Sequence, residues 1–207
     1  AQILEKCDAV DGVKDGLLED PRRCNIDVAG LAGLSEGQRA ALKKIYAETS
    51  GKDGAINPAQ PVGGEGEDYG WPRWITGGGP EAIPHGPSLR FALGTQFFKF
   101  LVFNDPSWDY SDYDVANARQ DARLTATFMN ATNPDLDAFK AKRGKLIVWH
   151  GWSDPALTAL GSINYYEQVE ERDAGVRDYF RMFLMPGVLH CGRGPGPDTV
   201  DWPATIA

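Results

Sequence analysis

The chain has 207 residues, 42% of them hydrophobic and 11% aromatic, which is enough apolar side chain for a substantial core in one domain or two small ones. A formal net charge of -8, with the basic residues dispersed, argues against nucleic acid as a partner. No run of eighteen apolar residues offers a membrane span, and "AQILEKCDAV" lacks the basic, apolar and small-residue succession of a signal peptide.

The first stretch with a pattern is "CDAVDGVKDGLLEDPRRC", residues 7 to 24, with five acidic residues among two glycines. That composition predicts a folded loop rather than a helix. Cys7 and Cys24 bracket it and could close it, which leaves Cys191 without a partner in the chain. Asp8, Asp11 and Asp15, with the carbonyls between them, offer the hard oxygens that Ca2+ takes in six- to eightfold coordination, although the EF-hand pattern is absent. A solvated acidic turn is the plain alternative, but three carboxylates this close repel one another without a cation.

"SEGQRAALKKIYAET" predicts a helix with Ser35 as its N-cap and Ala40, Leu42, Ile45 and Tyr46 at helical spacing. Residues 57–87, rich in glycine and proline, predict a long ordered loop that presents Trp71 and Trp74. "SLRFALGTQFFKFLVF" (88–103) and "VANARQDARLTATFMN" (115–130) predict two further helices. The periodicity then changes. "GKLIVWHG" (144–151) is a short unbroken apolar run between glycines, the pattern of a strand buried on both faces in a parallel sheet. A helix over 157–173 and a second strand in "YFRMFLMPG" (179–187) complete a strand, helix, strand unit, so the fold class is α/β with a doubly wound sheet. In such sheets functional residues sit in the loops after the strand C-termini.

Asp154 follows the first of these strands and His190 the second, an acid and a histidine in the chain order of α/β-hydrolase triads. A serine hydroxyl attacks well only if an imidazole takes its proton, and the imidazole needs a carboxylate to fix its tautomer. None of the seven serines, Ser35, Ser50, Ser88, Ser107, Ser111, Ser153 and Ser162, lies in a Gly-x-Ser-x-Gly setting between a strand and a helix, so the chain does not complete a triad by itself. His150, at the end of the first strand, either lines the pocket or satisfies a backbone carbonyl, and the structural role is favoured. Among Trp71, Trp74, Trp108, Tyr110 and Tyr113, flat side chains could sandwich an aromatic ring, but in an irregular domain they more often form the core. His85 offers no argument beyond its composition.

Three stretches, "CDAVDGVKDGLLEDPRRC", "KLIVWHGWSDPAL" and "LMPGVLHCGRGPGPDTVDW", resemble the tannase and feruloyl esterase family, which also includes the hydrolase of mono-hydroxyethyl terephthalate. The resemblance implies a partial α/β-hydrolase: residues 1–143 as a lid-like domain with a calcium-binding loop, and 144–207 as the C-terminal segment of the catalytic domain. It implies Asp154 as the triad acid and His190 as the general base, and it gives Leu157 a position resembling a pocket wall, a core role being an equal reading of that residue. Cys191 becomes a half-cystine whose partner neighbours a serine outside this chain, and Cys7 pairs with Cys24. The resemblance also implies a structural Ca2+ held by the side chains of Asp8, Asp11 and Asp15 and the backbone oxygens of Val13 and Leu17.

The partners implied are an aromatic-acid ester and the N-terminal part of the same enzyme, which bears the nucleophile. Paired cysteines imply a secreted or periplasmic protein. The expectation is therefore a piece of a serine esterase for phenolic-acid esters, inactive alone. A non-catalytic, calcium-stabilised module binding phenolic or carbohydrate ligands is the alternative.

Overall fold

The computed structural model describes residues 1–78 and 87–197. His85 lies outside them. The chain opens with helix α1 (Gln2–Cys7), and the Cys7–Cys24 disulfide closes the acidic loop that follows. Cys7 is buried with Ile3 and Leu18, against Leu4, Cys24, Ile26, Tyr46 and Val62, so the loop folds over a small apolar cluster of its own. Helix α2 (Glu36–Ile45) starts where expected: the Ser35 hydroxyl accepts from the Gln38 amide and the Gln38 side chain accepts from the Ser35 amide. That reciprocal pair satisfies two amide donors that an uncapped helix would leave open.

A hairpin missing from the expectation follows, β1 (Thr49–Gly51) and β2 (Gly54–Asn57), turning at Lys52–Asp53 with Gly54 at φ +97°. Three to four residues per strand carry too little alternation to register as a pattern. The described part of the loop over 57–87 contains one wide helical turn, Pro72–Thr76. Helix α3 (Leu89–Phe97), capped by Ser88, runs on into a second wide turn, Phe98–Val102.

The single helix expected over 115–130 is broken into a turn at Val115–Asn117, α4 (Ala118–Asp121) and α5 (Arg123–Met129). Buried Thr125 donates its hydroxyl to the Leu101 carbonyl, which ties α5 to the wide turn after α3. Phe98, Phe103, Trp108 and Tyr113 lie with ring centroids 5.1 to 6.0 Å apart. They form a cluster of half-buried rings, and Trp108 and Tyr113, for which a core role is favoured, pack within it without being buried. Tyr110 instead meets Phe91 edge-on.

After α6 (Asp137–Ala141) come β3 (Leu146–Gly151), α7 (Ala159–Arg172) and β4 (Phe180–Met185). β3 and β4 pair in parallel, Leu146 opposite Phe180 through Gly151 opposite Met185, so their C-terminal ends are level. Leu146 and Val148 pack towards Val169, Val176 and Phe180, while Met182 and Leu184 pack against Trp152, Ala159 and Ile163. The expectation of a strand buried on both faces needs correction. Ile147 and Trp149 of β3 and Phe183 of β4 are 38%, 37% and 47% exposed. Within this chain α7 covers one face of the pair and the described residues leave the other open.

Candidate active site

The loops after β3 and β4 are bound to each other before any site residue is placed. Trp152 donates its amide to the Met185 carbonyl at 2.9 Å and Ser153 to the Val188 carbonyl at 3.1 Å. Gly151 permits this approach, since a Cβ there would lie 2.2 Å from the Val188 oxygen. Gly151→Ala is therefore expected to cost about 1–3 kcal/mol, the usual range for overpacking, read as a lower urea midpoint with an unchanged slope. An undiminished midpoint would show that the loops part easily. Beyond His190 the backbone takes positive φ at four successive residues, Cys191 to Gly194. A Cβ on Gly194 would lie 2.2 Å from the Gly187 oxygen. The "HCGRG" composition is thus a tight return that holds His190 beside the β3 loop.

Asp154 is 4% exposed and hydrogen-bonded on both oxygens. Oδ1 accepts from the amides of Ala156 at 2.7 Å and Leu157 at 3.0 Å. Oδ2 lies 3.0 Å from His190 Nδ1, which must carry the proton because a carboxylate only accepts. His150 Nε2 lies 3.3 Å from the same oxygen. Burial pushes the Asp154 carboxyl upward, but the bonds from His150, the Leu157 amide, His190 and the Ala156 amide together hold it below the usual carboxylate value. Asp154 is therefore anionic at neutral pH, and its charge faces His190.

The structure adds residues that the sequence did not single out. Gln60 is 4% exposed and donates its side-chain amide to the Asp154 carbonyl at 2.9 Å, while Arg90 Nη2 donates to Gln60 Oε1 at 2.6 Å. Thr158, the cap of α7, donates to the Ala59 carbonyl. One glutamine and one arginine in an irregular segment carry no spacing signal, so only the fold reveals them. Trp74 meets His190 edge-on with centroids 5.0 Å apart, whereas Trp71 is buried against Tyr46. The His190 side chain is part-exposed and opens on a cleft of about 280 Å³ lined by Trp74, Arg90, Leu93, Ala156, Leu157 and His190. Leu157 is thus a wall residue, 62% exposed, rather than part of the core. His150 bonds the Leu157 carbonyl, the structural role favoured for it, and also reaches Asp154.

The acidic loop has the donor chemistry of a hard-cation site without its convergence. Asp8 accepts from the amides of Asp15 and Gly16, Asp11 from those of Val13 and Glu19, and Asp15 from that of Leu17. Among the described residues no three His, Cys, Asp or Glu side chains gather to hold a metal ion. Cys7 and Cys24 are joined as expected, and Cys191 is an exposed thiol beside His190. No helix among the described residues is long and apolar enough to cross a membrane.

Comparison with known proteins gives the fold its class. The chain superposes on feruloyl esterase B from Aspergillus oryzae with a TM-score of 0.74 at 25% identity, covering 94% of this chain and 40% of that one. It superposes on the tannin acyl hydrolase of Aspergillus niger with a TM-score of 0.69 at 19% identity, over 100% and 45% of the two chains. Both support an α/β-hydrolase-like fold. Residues 1–206 match the model described as tannase and feruloyl esterase, and the chain belongs to that family. Over 230 residues it is 34% identical to an uncharacterized esterase of Xanthomonas campestris, covering 95% of this chain and 39% of the relative. Over 243 residues it is 28% identical to the mono(2-hydroxyethyl) terephthalate hydrolase of Piscinibacter sakaiensis, over 96% and 40%. The chain thus spans about two fifths of the length of these relatives.

Proposed function

We propose that these residues supply the acid and the base of a serine carboxylic-ester hydrolase for esters of aromatic acids, such as feruloyl or galloyl esters. The observation that carries the reading is the 3.0 Å bond between His190 Nδ1 and Asp154 Oδ2 at the level ends of two parallel strands, beside an open cleft. The serine comes from outside the 207 residues. Its hydroxyl gives its proton to His190 Nε2 as the oxygen attacks the ester carbonyl, and Asp154 stabilises the imidazolium that forms. His190 then protonates the departing alcohol, and in the second half it takes a proton from the water that cleaves the acyl-enzyme.

An aromatic acyl group suits a cleft walled by Trp74, Leu93 and Leu157, with the Arg90 guanidinium as its polar contact. In this reading residues 1–143 are a lid-like domain that contributes Trp74 and Arg90, and 144–207 belong to the catalytic domain. Cys191 forms a disulfide with a cysteine next to the absent serine, fixing the nucleophile beside His190. Asp8, Asp11 and Asp15, with the carbonyls of Val13 and Leu17, would hold a structural Ca2+. The Cys7–Cys24 bridge supports an oxidising compartment, secreted or periplasmic.

The test is ester hydrolysis by the protein purified from its natural source, with methyl ferulate and methyl gallate as substrates, followed by fluorophosphonate labelling and a non-reducing peptide map. We expect turnover that the label abolishes, the label on a serine outside these residues, and Cys191 joined to a peptide beside it. The isolated 207-residue chain should hydrolyse neither ester. Absence of turnover in the natural protein, or turnover that survives complete labelling, overturns the reading.

A further inference from the structure

We propose that His150 is a positioning residue for the acid and base: its Nε2–H, hydrogen-bonded to the Leu157 carbonyl, also lies against the Asp154 oxygen that accepts from His190 and holds that carboxylate in place. The proposal rests on the role given to Asp154 and His190 above. Its basis is the geometry around His150. Nε2 lies 3.1 Å from the Leu157 carbonyl and 3.3 Å from Asp154 Oδ2, and Nδ1 lies 2.8 Å from the Ser162 hydroxyl. A carbonyl and a carboxylate only accept, so Nε2 carries the proton and Nδ1 accepts from Ser162. The neutral ring is satisfied in this one tautomer.

The order Ser162, His150, Asp154 repeats the residue types of a triad, but Ser162 sits on α7 and neither it nor His150 lines the cleft, whereas His190 does. His150 therefore acts through Asp154. Oδ1 accepts from two amides, while Oδ2 accepts from His190 and has His150 Nε2 3.3 Å away, so turning the carboxylate would break contacts at both oxygens. The charged or titratable groups facing this arrangement are Asp154 itself, His190 from the loop after β4, and Arg90 from α3, which interacts with Asp154 through space. Ser162 and the Leu157 carbonyl are the uncharged partners on the far side. His150 also fixes the carbonyl of Leu157, a cleft-wall residue, so the acid and the pocket wall share one support.

The experiment is carried out on the 15N- and 13C-labelled 207-residue chain by NMR, with His85→Gln and His190→Gln variants to assign the rings. It needs no ester turnover, so failure of the esterase reading and failure of this proposal are separable. Ring 15N shifts should show His150 as the Nε2–H tautomer when neutral. In His150→Ala the titration midpoint of the Asp154 carboxyl should move upward, because an N–H dipole lying 3.3 Å from its charged oxygen is lost. His150→Gln, which keeps a donor near the same place, should restore part of that shift. If the chain unfolds before Asp154 protonates, the acid-unfolding midpoint carries the same information and should rise in His150→Ala and recover in His150→Gln. A proton on Nδ1 of neutral His150, or an unmoved midpoint in a folded His150→Ala, overturns the proposal.

Discussion

Asp154→Asn is expected to lower kcat in the enzyme built around this chain by roughly 10⁴-fold while leaving the loops in place. The geometry gives the reason. If the Asn oxygen keeps the amides of Ala156 and Leu157, its Nδ2 faces His190 and His150, and two donors meet a third. His190 can relieve the conflict only by moving its proton to Nε2, which removes the lone pair that should accept the serine proton. The loss should therefore fall on kcat rather than KM, since nothing in the cleft wall changes. Ring 15N shifts of His190 in the isolated chain would show the tautomer change even without turnover.

The stability of the same variant depends on pH. Asp154 is held below its unfolded value of about 3.9. Its contribution is thus fully present above that value and is lost as pH falls through the folded-state value. Urea midpoints of wild type and Asp154→Asn should differ at pH 6 and converge towards pH 2. A constant difference, or turnover within tenfold of wild type, would remove Asp154 from the role of triad acid.

The parts legible from the sequence are those fixed by local chemistry. Ser35 with Gln38, Ser88 before α3 and the glycine-bounded apolar run of β3 each carry their signal within a few residues. Asp154 and His190 were legible because the strand-end rule needs only the strands and their order. Gln60, Arg90 and the cleft position of Trp74 were not, because each depends on a contact across 30 to 116 residues within an irregular segment. The separations 94 for Gln60 to Asp154 and 30 for Arg90 to Gln60 show the problem. The exposed face of Ile147, Trp149 and Phe183 was misread for a related reason. An unbroken apolar run reports that both faces of a strand need cover, and the described residues cover only one.

Removing the Cys7–Cys24 bridge is the change expected to affect stability most. The bridge spans 17 residues of a loop with little regular structure, and in the loop-entropy account a closure of that length contributes about 3 kcal/mol. For a chain of this size that corresponds to a fall in melting temperature of roughly 6–12 °C. The packing around Cys7 argues for the upper part of that range. Cys7 is 2% exposed and sits with Ile3 and Leu18, so a serine there also buries a hydroxyl in an apolar cluster. Cys24→Ser, at the less buried end, should cost less than Cys7→Ser, and the double variant little more than Cys7→Ser alone, because the bridge is lost in all three.

Calorimetry of the variants, and of wild type under reductant, separates the two contributions. Reduction removes the bridge but not the sulfur, so wild type in reductant should match Cys24→Ser more closely than Cys7→Ser. The loop also bears Asp8, Asp11 and Asp15, and its Arg23 donates to the Val10 carbonyl across it. If these carboxylates take up Ca2+, added Ca2+ should raise the melting temperature of the oxidised protein and do so less in the bridge variants, whose loop must be ordered before it can bind. A melting temperature that neither reductant nor Ca2+ moves would mean that the cluster around Ile3 and Leu18 holds the loop unaided.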